Sequence, residues 1–430
     1  MAISRPLDVQ INLNVRGMLP SATVAINERC NALREEGREV FKLGLGQSPF
    51  PVPESVVQAL RDNAHQKDYL PVKGLRALRQ EVAAYHRRTA GVEADAEDVL
   101  IGPGSKELMF LLQLVYYGDI LIPTPAWVSY APQADVVGRR VRFMHTKVDD
   151  DWALLPEALD ALCGEDFGRP RILVLNDPSN PTGLSIPRDR LGELAAVARR
   201  HRVVVLSDEI YGELAHDGGH DSISRHYPEG TIISGGLSKW CGAGGWRLGT
   251  FLFPRAMRWL LDAMAAVASE TYTSTSAPIQ YAAVTAFRGG PAIDRYLVDC
   301  RRILAGLGRW CAARLRRAGA RQPDPTGAFY LFPDLSPQRA RLAARGIDGS
   351  RELCERLLDE TGVAILPGGS FGREDAELCC RLAYVDFDGG AALEAVAALP
   401  EDGLVDEAFL RAHCRPVLQA MDRFGDWLSG

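Results

Sequence analysis

The sequence lacks an apolar run of the ~20 residues that a membrane-spanning helix requires. Its opening, MAISRPLDVQINLNV, lacks the basic-then-apolar order of a secretory signal. Neither membrane insertion nor export is expected. The chain also lacks a charge imbalance: 49 basic and 55 acidic residues are intermixed, for a net charge of -6. No footprint for a nucleic-acid backbone or an anionic membrane results. The nine cysteines are scattered, with neither a CxxC pair nor a zinc-ligand spacing. Reduced thiols in a cytoplasmic protein are the expectation. No internal repeat or low-complexity tract appears, and 47% hydrophobic with 24% charged residues is a composition that buries a core. At 430 residues the chain has room for two domains. Small-molecule partners are favoured.

Between about residues 97 and 255, short apolar runs alternate with helical patterns, the order of a mainly parallel sheet covered by helices. Val99 to Ile101 reads as a strand that turns through Gly102, Pro103 and Gly104 into a helix, SKELMFLLQLVYY. Ile120 to Ile122, Ile172 to Leu175 and Val203 to Leu206 read as further strands, and Arg188 to Arg200 as a helix. In such sheets ligands gather at the carboxyl ends of the strands. From about residue 290 the pattern changes to long Arg-, Ala- and Leu-rich helical segments, with a boundary between 295 and 315. The last segment, EDGLVDEAFLRAHCRPVLQAMDRFGDWLSG, reads as an amphipathic terminal helix.

Four strings carry chemistry. In SGGLSKWCGAGGWRLG, Lys239 follows a small-residue turn and Arg247 comes soon after. An amine and a planar guanidinium fork at this spacing are suited to an aldehyde cofactor that bears a phosphate. In SDEIYGEL, Asp208 follows a strand, so its carboxylate can sit against a cationic ring nitrogen, with Tyr211 reaching the ring's phenolate oxygen. LNDPSNPTG sets Asn180 in a loop that two prolines define, one helix and one strand before Asp208. GPGSKEL sets Gly104, Ser105 and Lys106 at a strand-to-helix turn, where free amides face an anion. Trp127, in PAWVSY, either stacks on a cofactor ring or packs in the core. His216 and His220 in HDGGH have metal-like spacing, but the glycines suit a surface turn and no third ligand is evident. No metal is assigned. The adjacent Cys379 and Cys380 read as strand residues on alternating faces.

Together, PSATVA, YLPVKGLRALR, GSKEL, PAWVSY, NPTG, SDEIY, the SK pair with Arg247, and GGSFG with CCRLAY resemble the class I/II aminotransferases over nearly the whole chain. The similarity is greatest to the bacterial aspartate aminotransferase subgroup. It implies an α/β fold of type I pyridoxal enzymes: a mostly parallel seven-stranded sheet in a large domain over residues 49–305, and a smaller α+β domain built from 1–48 and 306–430. It also implies pyridoxal 5'-phosphate as cofactor and a homodimer with shared active sites. Lys239 then matches the Schiff-base lysine, Asp208 the ring-nitrogen partner, Asn180 and Tyr211 the phenolate ligands, and Arg247 with Ser105 and Ser238 the phosphate cup. Trp127 matches the stacking aromatic, and Tyr69 a tyrosine that reaches the neighbouring subunit's phosphate. Arg381 matches the arginine for the substrate's α-carboxylate, and Gly46 a backbone that lies against it.

Two positions depart from the family pattern: Gly236 replaces a phosphate-binding serine, and QSPF follows Gly46 in place of EPDF. The implied reaction is transamination of an L-amino acid, aspartate or glutamate, with a 2-oxo acid. Lys106, with Thr23 nearby, corresponds to a lysine that pairs with a distal carboxylate; a phosphate role for its amide alone is the alternative. An aromatic or prephenate-type substrate, or another carbanion reaction on the same scaffold (lyase, synthase or oxidase), remains open.

Overall fold

The computed structural model describes residues 10–166, 168–400 and 403–430. The first nine residues of the opening segment lie outside them, as do Glu401 and Asp402 at the head of the terminal segment. The strands in chain order are β1 (Phe41–Lys42), β2 (Val99–Gly102), β3 (Asp119–Thr124), β4 (Val141–His145), β5 (Arg171–Asn176), β6 (Val204–Asp208), β7 (Thr231–Gly236), β8 (Gly249–Leu252), β9 (Tyr330–Leu331), β10 (Val363–Ala364), β11 (Leu366–Pro367) and β12 (Cys380–Ala383).

Seven of them form one sheet in the order β2-β8-β7-β6-β5-β3-β4. Only β8 runs antiparallel to its neighbours. The runs ILVL in β5 and VVL in β6 are buried throughout, as strands covered on both faces must be. Alternate side chains enter different cores: Val204 and Leu206 join one cluster with Ile172 and Val174, whereas Val205 joins another with Leu173 and Leu175. This parity carries Asn176 and Asp208 to one face of the strand ends, and their successors Asp177 and Glu209 to the other.

Helix Arg188–Arg200 matches the sequence expectation residue for residue. The long helix runs from Pro291 to Arg317. It starts at a proline behind Gly289 and Gly290, where the missing amide costs nothing. Its buried stripe of Ile293, Leu297, Cys300, Leu304, Leu307 and Cys311 keeps helical spacing against the main core. β1 pairs with β10, which joins the start of the chain to its last third. The terminal segment departs from expectation. It forms two helices, Glu407–His413 and Arg415–Ser429, which break at Cys414 because Pro416 cannot donate an amide back into the preceding turn. All nine cysteines are buried and unpaired, Cys379 and Cys380 included.

Candidate active site

The carboxyl ends of β5, β6 and β7 open onto a cavity of about 430 Å³. Lys239, Asp208, Asn180, Tyr211, Trp127, Ser105, Lys106, Ser238, Arg247, Arg381, Gly46 and Thr23 all line it. Tyr69 does not, and is 91% exposed.

The amine of Lys239 donates to the Gly46 carbonyl at 2.6 Å and lies 5.7 Å and 5.8 Å from the ring centres of Tyr211 and Phe329. Burial, reinforced by Arg381 and only partly opposed by Asp208, lowers its pKa to about 8. Asp208, at the end of β6, accepts hydrogen bonds from Tyr130 at 2.6 Å and from Ser234 at 3.4 Å. Burial nevertheless raises its pKa to about 6, so the site favours a cation beside this carboxylate. The Tyr211 hydroxyl lies 2.7 Å from that of Tyr330, which in turn packs under Arg381.

Gly104 caps the helix Ser105–Val115 with φ +94. A side chain there would meet the Arg247 guanidinium, since its Cβ would lie 2.2 Å from Nη2. Arg247 donates to the carbonyls of Gly244 at 2.9 Å and Pro103 at 3.4 Å, which aims it across the helix start. Gly236 is similarly confined: at φ +154, a Cβ would lie 2.6 Å from the Leu248 carbonyl oxygen. The β7–β8 approach therefore excludes a serine there, and the remaining donors at this end are Ser105, Ser238, Arg247 and the helix amides.

Arg381 is fully buried and donates to Asn180 at 3.2 Å and to the Gly44 carbonyl. Its Nε has no hydrogen-bond partner among the described residues. A buried guanidinium with an unmatched N–H and no carboxylate among its hydrogen-bond partners fits a carboxylate ligand. The donors around Arg247, an amine, one carboxylate and an aromatic wall fit pyridoxal phosphate.

Among the cavity residues that escaped the sequence reading, Tyr130, Asn176 and Tyr330 make side-chain hydrogen bonds at the site. Tyr130 lies three residues after Trp127 in the same PAWVSY string, and its place there was its available signal. Asn176, whose amide donates to the Asp208 carbonyl at 2.8 Å, and Tyr330 carry no comparable mark. The surface-turn reading of HDGGH holds for Asp217, Gly218 and Gly219, which are exposed, but not for His220. Gly218, at φ +80, reverses the chain and sends the His220 ring inward to within 3.1 Å of Glu209.

Residues 38–389 match the model of the family "Aminotransferase class I and II". The aspartate aminotransferase of Geobacillus stearothermophilus is 32% identical over 380 residues, covering 86% of this chain and 93% of that one. The aspartate/prephenate aminotransferase of Thermus thermophilus is 32% identical over 366 residues, covering 84% and 91%. The structure of Thermus thermophilus aspartate aminotransferase with maleate superposes with a TM-score of 0.82 at 29% identity, covering 97% of this chain and 100% of that one. With this match spanning most of its length and the cavity residues converging as described, the chain belongs to the class I and II aminotransferases.

Proposed function

We propose that this aminotransferase uses pyridoxal 5'-phosphate to move an amino group from a dicarboxylic L-amino acid, aspartate or glutamate, to a 2-oxo acid. The observation that carries the reading is the convergence of an amine, a carboxylate and a buried guanidinium (Lys239, Asp208 and Arg381) on one cavity. When bound, the cofactor supplies an aldehyde that takes up the substrate's amine and a cationic ring that draws electrons from the substrate's Cα. Asp208 would hold a proton on the ring nitrogen, with Tyr130 and Ser234 fixing the carboxylate. Tyr211 and Asn180 would hold the ring's phenolate oxygen, and Trp127 would stack on the ring. Ser105 and Ser238, together with Arg247 and the amides after Gly104, would hold the phosphate. Arg381 pairs with the α-carboxylate against the Gly46 backbone. The Lys239 amine, held near 8, carries enough of its neutral form at pH 7 to move a proton between Cα and the cofactor's C4′.

Lys106 supports the dicarboxylic substrate. Its ammonium lies 5.2 Å from the Trp127 ring centre, inside the cavity, and among the described residues it pairs with no carboxylate. Thr23 lines the same wall. The Thermus thermophilus neighbour carries maleate, itself a dicarboxylate. The competing reading, an aromatic or prephenate-type substrate, draws on the second activity in the name of the relative from that organism. A homodimer completes the proposal, because Tyr69 lies outside its own cavity, exposed as a residue bound for a neighbouring subunit's phosphate would be. The pairing of β1 with β10 supports a small domain drawn from 1–48 and 306–430 beside a large one over 49–305. Nine buried, unpaired thiols support a cytoplasmic setting.

Incubating the purified protein and cofactor with a panel of amino acids and 2-oxoglutarate, with products identified by mass, tests the reading. Oxaloacetate from aspartate is the expected product. Eliminated or ring-closed products would assign the carbanion to a different reaction.

A further inference from the structure

The back of the sheet carries a buried charged cluster that transamination, as described, leaves unused. Glu209 follows Asp208, and Asp177 follows Asn176, so the two carboxylates point away from the cavity that their neighbours line. His220 reaches between them. Its Nε2 lies 3.1 Å from Glu209 Oε2, and its Nδ1 lies 3.9 Å from Asp177 Oδ2. The side chains of Glu209 and Asp177 are 7% and 6% exposed, and that of His220 15%. The same Glu209 accepts hydrogen bonds from Ser207 at 2.8 Å and Ser222 at 2.5 Å, while Asp177 accepts the Ile186 amide at 3.0 Å. Ser234, which donates to Asp208, lines a second cavity of about 260 Å³ that Glu209 and His220 share.

The charges around this cluster are matched elsewhere. Asp221 pairs with Arg188 and Arg225, and Glu213 with Arg301. His86, from helix Arg76–Thr89, is kept neutral by burial, with its pKa lowered to about 4, and beside it Tyr85 is also held uncharged by burial. One imidazolium therefore answers two carboxylates, each attached directly to a residue of the active site. His220 is held charged despite its burial, because Glu209 raises its pKa to about 9.

We propose that His220 is a positioning residue for the active site: lying between Glu209 and Asp177, its charge compensates the negative charge behind the cofactor's ring-nitrogen partner and holds together, from the rear, the strand ends that carry Asp208 and Asn176. Removing one member of a buried ion cluster leaves the others uncompensated, whereas removing a matched pair does not. This asymmetry distinguishes an electrostatic role from a merely structural one.

The proposal rests on the reading that the main cavity binds pyridoxal phosphate through Lys239. Its test is a titration of the visible absorption band of the holoenzyme for wild type, His220→Gln, Glu209→Gln and the double variant. A cation behind the site disfavours a protonated, cationic cofactor linkage, so its loss raises the midpoint and loss of an anion lowers it. His220→Gln is expected to raise the midpoint and Glu209→Gln to lower it, each by about half a pH unit. The double variant should return close to wild type. Single variants that shift in the same direction, or not at all, would overturn the proposal. If His220→Gln does not fold, Asp177→Asn decides instead: a downward shift supports the compensation, and an unmoved midpoint refutes it. A wild-type protein that shows no titrating band would refute the cofactor reading, a failure distinct from immobile variants on a titrating wild type.

Discussion

The amine of Lys239 donates a 2.6 Å hydrogen bond to the carbonyl of Gly46, a residue 193 positions away in the chain. The bond ties the loop after β7 to the segment that follows β1, and it holds the amine between Asp208 and Arg381, two groups that pull its protonation in opposite directions. Burial and the neighbouring guanidinium prevail. The folded protein binds this proton less tightly than the unfolded chain, so the group contributes stability that grows as pH rises from about 8 toward the ordinary lysine value of 10.5.

That depressed value sets the first expectation. In the cofactor-free protein, acylation of Lys239 by an amine reagent should reach half its maximal rate near pH 8. A half-maximal pH above 10 would contradict the electrostatics described for the cavity.

Asp208→Asn should lower the rate of proton transfer at Cα by several orders of magnitude, because a ring nitrogen without a carboxylate partner loses its proton and with it the electron sink. Stability should move the other way. Asp208 has its folded pKa raised from 3.8 to about 6, so its ionisation is disfavoured in the fold. The cost appears as pH rises through that window and is complete above it. At pH 8 the cofactor-free Asn variant should therefore be more stable than wild type by about 3 kcal/mol, and at pH 4 the gain should largely vanish. Thermal melts at the two pH values check this, and a variant destabilised equally at both would argue against a strained carboxylate.

How much of this was legible beforehand depends on where each signal resides. Lys239, Asp208, Asn180 and Arg247 stand beside turns and strand ends that local patterning reveals, and all four line the cavity. Tyr130 and Tyr330 contribute hydroxyls from a helix start and from β9, and only the tertiary fold shows that they meet Asp208 and Tyr211. The glycines of HDGGH correctly marked a turn, yet could not reveal that it folds inward, because the partner of His220 lies at the end of β6. In the terminal segment, the amphipathic stripe runs through a proline that backbone chemistry resolves into two helices.

Tyr69 yields an expectation at the level of the assembly. Mixing Lys239→Ala chains with Tyr69→Phe chains should give hybrid dimers with one doubly impaired site and one intact site. Recovery of activity above the sum of the parents is the expected result. Strict additivity would mean that each subunit keeps its own Tyr69.

Lys106→Met should reduce kcat/KM for aspartate and glutamate by about 30-fold or more, because an ammonium near a desolvated carboxylate discriminates charge by roughly 2 to 5 kcal/mol. Alanine and phenylalanine should lose far less, since Arg381 still holds the α-carboxylate common to all of them. Equal losses across substrates would assign Lys106 to the cofactor phosphate and favour the aromatic reading.

The central claim is that Lys239 is the residue covalently joined to the cofactor. Borohydride reduction of the holoenzyme, followed by proteolysis and mass spectrometry, tests it directly, because reduction locks the linkage in place. The expected result is a single pyridoxyl-modified peptide bearing the adduct on Lys239. An adduct on Lys106 or any other lysine, with Lys239 unmodified, would contradict the account.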